Sequence, residues 1–233
     1  MLKEIHKSSE RGTSKLDWLD SKFSFSFDRY NNPKRMGYGK LLVLNDDIIA
    51  PGKGFGFHPH ENMEIITIPI KGVLAHKDST GVEEIILPGE IQVMSAGSGI
   101  FHSEYNHSKT EDLELFQIWI EPSVHHITPR HDKRSFDLKE NNLYLVVSGK
   151  KNPNYLFINQ KANILFGKFT KGKKTNYKIT KGNGVFIFVI EGRIEIKGDQ
   201  LEKRDSIEIS DTSTANINAL EDSYFMIIEV PMK

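Results

Sequence analysis

The feature that most restricts the fold of this chain is a rhythm of short apolar runs, each broken within a few residues by Gly, Pro, Asn or Asp. KLLVLN, EIITIPI, EEIILPG, IQVMS, LFQIWIEP, LYLVVS, ILFGKF, GVFIFVIEG, RIEIKG, DSIEIS and YFMIIEVP follow one another from end to end. Runs of this length, rich in Ile, Val, Phe and Leu and bounded by turn residues, predict the strands of an antiparallel sandwich or barrel. Helical spacing occurs only at Ser14–Phe23 (SKLDWLDSKF), where Leu16, Leu19 and Phe23 follow a possible Ser14 cap. This predicts one short helix. With 233 residues, 38% of them hydrophobic, the chain can fill one large β domain or two small ones with separate cores.

Two stretches decide for two. ITIPIKGVLAHKD followed by GEIQVMSAG is echoed by FVIEGRIEIKGDQ followed by RDSIEISDT. In each, a strand runs into Lys-Gly or Glu-Gly, a short hairpin strand follows, and an acid introduces the next strand. The echo predicts a duplicated β module, with domains at 1–130 and 131–233. The join, SVHHITPRHDKRSFDLKENN, is polar and carries a proline. The halves differ in one respect: all nine histidines, at 6, 58, 60, 76, 102, 107, 125, 126 and 131, lie at or before His131.

Charge and composition exclude several functions. Lys+Arg and Asp+Glu both number 31, so no net field draws the protein to nucleic acid or an anionic membrane. No apolar run reaches the ~18 residues of a membrane span. The first residues, MLKEIHKSSERG, lack the apolar stretch of a secretory signal, and the expected location is the cytoplasm. Without cysteine there are no disulfides, thiolate metal sites, iron–sulfur clusters or cysteine nucleophiles.

Against that background GKGFGFHPHENME, residues 52–64, stands out. Each imidazole carries two nitrogens that need partners when buried, so a close pair suits the core poorly. On a strand, His58 and His60 face the same side, with Cα atoms about 6.5 Å apart, within reach of one shared ion. His102 and Glu104, in SAGSGIFHSEYN, repeat the i, i+2 geometry, and Glu64 adds an acid close to the first pair. Two such pairs on neighbouring antiparallel strands can point three nitrogens and a carboxylate at one point. Spacing alone leaves Glu64 and Glu104 both eligible. Such a donor set, without sulfur, suits Fe(II), Cu(II), Ni(II), Mn(II), Co(II) or Zn(II). Gly54 and Gly56 either leave room beside the histidines for a flat ligand or shape a bulge in the backbone. Pro59, lacking an N–H, implies an edge or bulged strand.

GFGFHPHENMEIITIPIKG and PGEIQVMSAGSGIFHSE resemble the two motifs of the cupin fold, and more closely those of the pirin family of bicupins. FSFDRYNNPKRMGYGKLLVLNDDIIAPGKGFGFHPH and LFQIWIEP extend the resemblance over about residues 20–125, and it continues loosely to the end. It implies an all-β bicupin of two tandem cupin-type sandwich modules with few short helices, the second without metal ligands. It implies one divalent transition metal per chain, Fe(II) first, held by His58, His60, His102 and Glu104, with Glu64 orienting a ring. Pirin-like proteins are similar to quercetin 2,3-dioxygenases, which open flavonols with O₂ and release carbon monoxide. The expected partners are therefore a small aromatic or enolic substrate and O₂, with Glu104 as the residue that takes the substrate proton. The alternative implied by the same resemblance is a metal-dependent, redox-sensing regulator that docks on transcription or metabolic proteins.

The remaining candidates read as structural. Lysines 168, 171, 173, 174, 178 and 181 describe a solvated strand face. His76, His125, His126 and His131 read as surface residues and His107 as a loop residue. Trp119 reads as core in a strand buried on both faces.

Overall fold

Ser14–Phe23 is a β-hairpin, not a helix, in the computed structural model, which describes residues 1–233. Strands Gly12–Lys15 and Leu19–Phe23 pair across a tight turn, where the Leu16 N–H donates to the Leu19 carbonyl at 2.8 Å. Leu19, Ser21 and Phe23 are buried on one side of their strand, whereas Leu16 is 53% exposed. The spacing of Leu16 and Leu19 is that of residues closing a hairpin loop. Period two within Leu19–Phe23 is the pattern that the tertiary structure uses.

Twenty-two strands form four sheets, and the only helical element is a single 3₁₀ turn at Ser8–Glu10. No helix is long and apolar enough to cross a membrane. In the first module a seven-stranded sheet runs, edge to edge, Arg130–Ser135, Glu90–Ser95, Glu64–Lys71, Leu113–Ile120, Leu41–Ile49, Leu19–Phe23 and Gly12–Lys15. It packs on a four-stranded sheet of Gly54–His60, Ile100–Asn106, Leu74–Asp78 and Glu83–Ile86. The second module repeats this order. Its sheets run Leu2–His6, Ser206–Ser210, Asn183–Glu191, Ser223–Pro231, Asn163–Phe169, Leu143–Ser148 and Leu156–Phe157, and then Lys174–Lys178, Thr214–Ala219, Ile194–Ile196 and Asp199–Leu201.

The echo in the sequence marks equivalent places. Gly72 and Gly192, at the turns of the two echoing hairpins, have φ of 80° and 78°. A Cβ there would lie 2.6 Å from the Asp112 carbonyl oxygen and 2.2 Å from that of Asp222, so both glycines answer a close backbone approach. Two segments cross the expected division at 130/131. Leu2–His6 forms the edge of the second module's sheet, and Arg130–Ser135 forms the corresponding edge of the first.

The apolar residues distribute unevenly. A cluster of 24 buried residues joins the two seven-stranded sheets back to back, through Leu44, Ile66 and Phe116 on one side and Phe186, Phe188 and Met226 on the other. The second module encloses its own cluster of 16. Inside the first, the apolar clusters hold only 6 and 4 residues. Its interior is occupied by polar side chains, among them Asn45, Asp47, Thr67, Gln92, His102, Glu104 and Gln117, all buried.

Candidate metal centre

Those polar side chains come from two facing sheets, and their register defines the site. Gly54–His60 pairs antiparallel with Ile100–Asn106, His102 opposite His58. A bulge then brings Glu104 opposite Phe55, so that three steps on one strand match two on the other. The bulge corrects the simple alternation expected for the glycines. A Cβ on Gly54 would meet the Glu104 carbonyl oxygen at 2.2 Å, so Gly54 permits a close backbone approach. Gly56 faces open space, its nearest neighbour the Tyr105 hydroxyl oxygen at 3.6 Å. Pro59 lies on the edge strand of its sheet, where no N–H is needed.

The rings of His58, His60 and His102 converge, with centroid separations of 4.8, 4.4 and 4.9 Å. One nitrogen from each lies within 4.8 Å of the others. The His58 Nδ1–H donates to the Gly56 carbonyl at 2.8 Å, which leaves Nε2 as its free nitrogen. Both nitrogens of His102 are buried without any partner. Such an orphaned pair is costly in a core and fits a ring that ligates an ion. Burial, followed by the neighbouring rings, pushes His102 down to about 3 and His60 down to about 4. Both are therefore neutral near pH 7, the form that binds a metal.

Glu104 lies in the same cavity and is 3% exposed. Thr67 Oγ1 donates to its Oε1 at 2.9 Å, Gln92 Nε2 to the same oxygen at 3.5 Å, and Gln117 Nε2 to Oε2 at 2.7 Å. Gln117, Thr67 and Gln92 are register partners, one row across the opposing sheet. All three donors are neutral, so they fix the carboxylate without cancelling its charge. That charge remains for a cation. The carboxylate also approaches His76 and His102, a second group whose donor atoms lie within 4.8 Å of one another.

Glu64 stands elsewhere. Ile65 and Thr67 of its strand face the cavity, whereas Glu64 points to the opposite side with Ile66 and Ile68, where Ser95 Oγ and Asn159 Nδ2 donate to it at 2.7 and 3.0 Å. It orients no ring, contrary to the expectation.

Three further residues lie against the site, where the sequence predicts surface for His76 and His131 and core for Trp119. His76 is buried, its Nε2 3.2 Å from Asp78 Oδ2, and its ring lies 5.4 Å from that of His102. His131 is half-buried and stacks on His76 at 4.8 Å. Trp119 is half-buried at the cavity wall, edge-on to His60 at 4.8 Å. His76 and Asp78 repeat the i, i+2 polar spacing of the other pairs, a signal present in AHKD but shared with any solvated strand. His107, His125 and His126 are exposed, as are Lys168, Lys171, Lys174, Lys178 and Lys181, whereas Lys173 is half-buried. The cavity beside the histidines measures about 590 Å³ and is walled by Trp18, Phe23, Phe27, Phe55 and Trp119. It can enclose a flat aromatic ligand against the imidazoles.

The chain is similar to known proteins over nearly its whole length. The family model described as Pirin matches residues 4–120, and that of the quercetinase C-terminal cupin domain matches residues 145–230. A quercetin 2,3-dioxygenase of Escherichia coli (strain K12) is 40% identical over 227 residues, covering 97% of this chain and 98% of that protein. A pirin-like protein of Caulobacter vibrioides is 37% identical over 215 residues, 91% of this chain and 92% of that one. The crystal structure of the bacterial pirin YhhW from Escherichia coli in complex with nickel(II) superposes with a TM-score of 0.95 at 38% identity, covering 99% of both chains.

Proposed function

Because the chain belongs to the pirin family, we propose that it is a metal-dependent dioxygenase that opens flavonols such as quercetin with O₂ and releases carbon monoxide. The observation that carries this reading is the convergence of three imidazoles, one with neither nitrogen partnered, beside a buried carboxylate in an aromatic-walled cavity. His58, His60, His102 and Glu104 would hold one divalent transition metal, Fe(II) first; nickel(II), present in the Escherichia coli pirin crystal, is accepted by the same donor types. When bound, the ion supplies Lewis-acid activation of an enolic hydroxyl.

The chain's own residues do the rest. Trp18, Phe27, Phe55 and Trp119 sandwich the planar ring system and exclude water from it. Glu104 accepts the proton of the enolic hydroxyl, and Thr67 and Gln117 keep its oxygens fixed while it does so. Oε2, which accepts only from Gln117, retains a lone pair beyond the one used by that donor. Residues 1–130 carry the four ligands, and residues 131–233, with no histidine after His131 and with an apolar interior, support the first module through the shared core.

The test is oxygen uptake by metal-loaded protein given quercetin, with carbon monoxide trapped by a haem protein. The expected result is one CO formed per O₂ consumed. Metal-loaded protein that consumes no O₂, or that consumes it without CO, contradicts the proposal.

A further inference from the structure

Asp47 is a buried carboxylate for which the chemistry above has no task. It lies on the strand Leu41–Ile49, 3% exposed, and lines the cavity with Asn45, Ser21, Gln117 and Glu104. Its Oδ1 has no hydrogen-bond partner, and neither has Oδ1 of Asn45 two residues before it. An unsatisfied buried acceptor costs roughly 1–3 kcal/mol, so two in one hollow need a reason.

The neighbouring Asp46 shows what a structural carboxylate looks like here. It faces the second module, held by Arg11 and Arg204 at 3.0 Å each. Asp47, on the other face of the same strand, has register partners Ser21 and Leu115 and no such cation. Burial pushes it up to about 7, with Asp46 and Glu104 adding to the shift and Ser21 opposing it. Asn45 is the register partner of Gln117, whose amide holds Glu104. One strand across and two residues along, Asp47 sits about 8 Å from Gln117. That is comparable to the length of a fused two-ring system.

We propose that Asp47, with Asn45, binds a ring hydroxyl at the end of the substrate remote from the metal-facing enol, so that this end of the cavity selects polyhydroxylated flavonols. The inference rests on the flavonol reading and deepens it, naming the part of the substrate that is recognised. The unpartnered Oδ1 atoms of Asp47 and Asn45 complement a ligand whose hydroxyls bring donors. A site built to hydrogen-bond a hydroxyl discriminates strongly against an analogue that lacks it.

Trp18 and Trp119, the two tryptophans of the chain, both line the cavity, so quenching of their fluorescence reports binding without turnover. The measurement compares quercetin, hydroxylated on both ring systems, with 3-hydroxyflavone, which keeps only the enol hydroxyl, under anaerobic conditions. In Asp47→Leu the affinity for quercetin should fall tenfold or more, that for 3-hydroxyflavone should stay level or rise, and metal content should not change. Asp47→Asn keeps the shape and gives the same direction with a smaller change, which covers any folding defect of the leucine variant. An unchanged ratio of the two affinities in both variants, with wild-type protein binding and oxidising quercetin, overturns the inference alone. Wild-type protein that neither binds nor oxidises either flavonol overturns the flavonol reading, and the inference with it.

Discussion

At the scale of single residues, the two glutamates left open by the motif spacing differ in what surrounds them, and so in what their loss removes. Glu104→Gln keeps the shape but loses the charge that a cation and a substrate proton would meet. Metal binding should weaken, and oxygenation at saturating metal should fall by the ~10²–10⁴-fold that general-base help contributes. Glu64→Gln acts on the far side of its strand, at Ser95 and Asn159, and should change melting temperature rather than metal content. Metal analysis and oxygen uptake on both variants distinguish them; metal lost from Glu64→Gln alone contradicts the assignment. Asp47 gives a second prediction. Its carboxyl is raised from an ordinary 3.8 to about 7, so the fold holds its proton longer than the unfolded chain does. The contribution to stability is full below pH 3.8 and is lost as pH rises toward 7. Asp47→Asn does not titrate, so the variant should gain about 1 kcal/mol or more over wild type near pH 7 and little near pH 4. A difference in melting temperature that is the same at both pH values would contradict this. The convergence of His58, His60 and His102, with Glu104 in the same cavity, was legible because paired polar residues at i, i+2 are unusual in a core. His76, Asp78 and Asp47 were not, because alternation marks two faces of a strand without saying which is inside. In a barrel with a polar interior the ordinary reading of that alternation inverts.

Among the elements, the histidine strand and its bulge carry the site. Gly54→Ala would drive a Cβ into the Glu104 carbonyl and disturb the pairing of Gly54–His60 with Ile100–Asn106. The expected cost is about 1–3 kcal/mol of stability, with metal content falling in parallel. Gly56→Leu meets no such obstacle and should stay folded and metal-loaded, with weaker turnover because the side chain enters the mouth of the cavity. Thermal melts paired with metal analysis check both, and a stable, metal-loaded Gly54→Ala would contradict the account of the bulge. The strands themselves were legible from their turn-bounded apolar runs. The hairpin at Gly12–Phe23 was not, since Leu16, Leu19 and Phe23 satisfy a helical period as well as a strand interrupted by a turn. Sheet pairing at Leu19–Phe23 with Leu41–Ile49 settles the competition, and pairing between distant segments is not written in local spacing.

The whole molecule follows from giving one module a polar interior. With clusters of only 6 and 4 apolar residues inside, the first module depends on the 24-residue core that it shares with the second. Edge strands exchanged between the modules, and the Tyr38 hydroxyl donating to the Ile209 carbonyl at 2.8 Å, tie the two together. Unfolding by denaturant should therefore be one cooperative transition, and Phe186→Ala in the shared core should lower stability by about 3–5 kcal/mol and reduce metal retention with it. Two separate transitions would contradict this coupling. The duplication was legible because Gly72 and Gly192 punctuate equivalent hairpins, whereas the exchange of edge strands leaves no trace in an exposed polar linker. The asymmetry between the modules is the central claim: one ion, in the first module, on converging histidines. Transition-metal content per chain, measured on wild type and on His102→Ala after equal metal loading and dialysis, tests it most directly. The account predicts one tightly held ion per chain in the wild type and none in the variant. Two tight ions in the wild type, or an ion that survives the loss of His102, would contradict it.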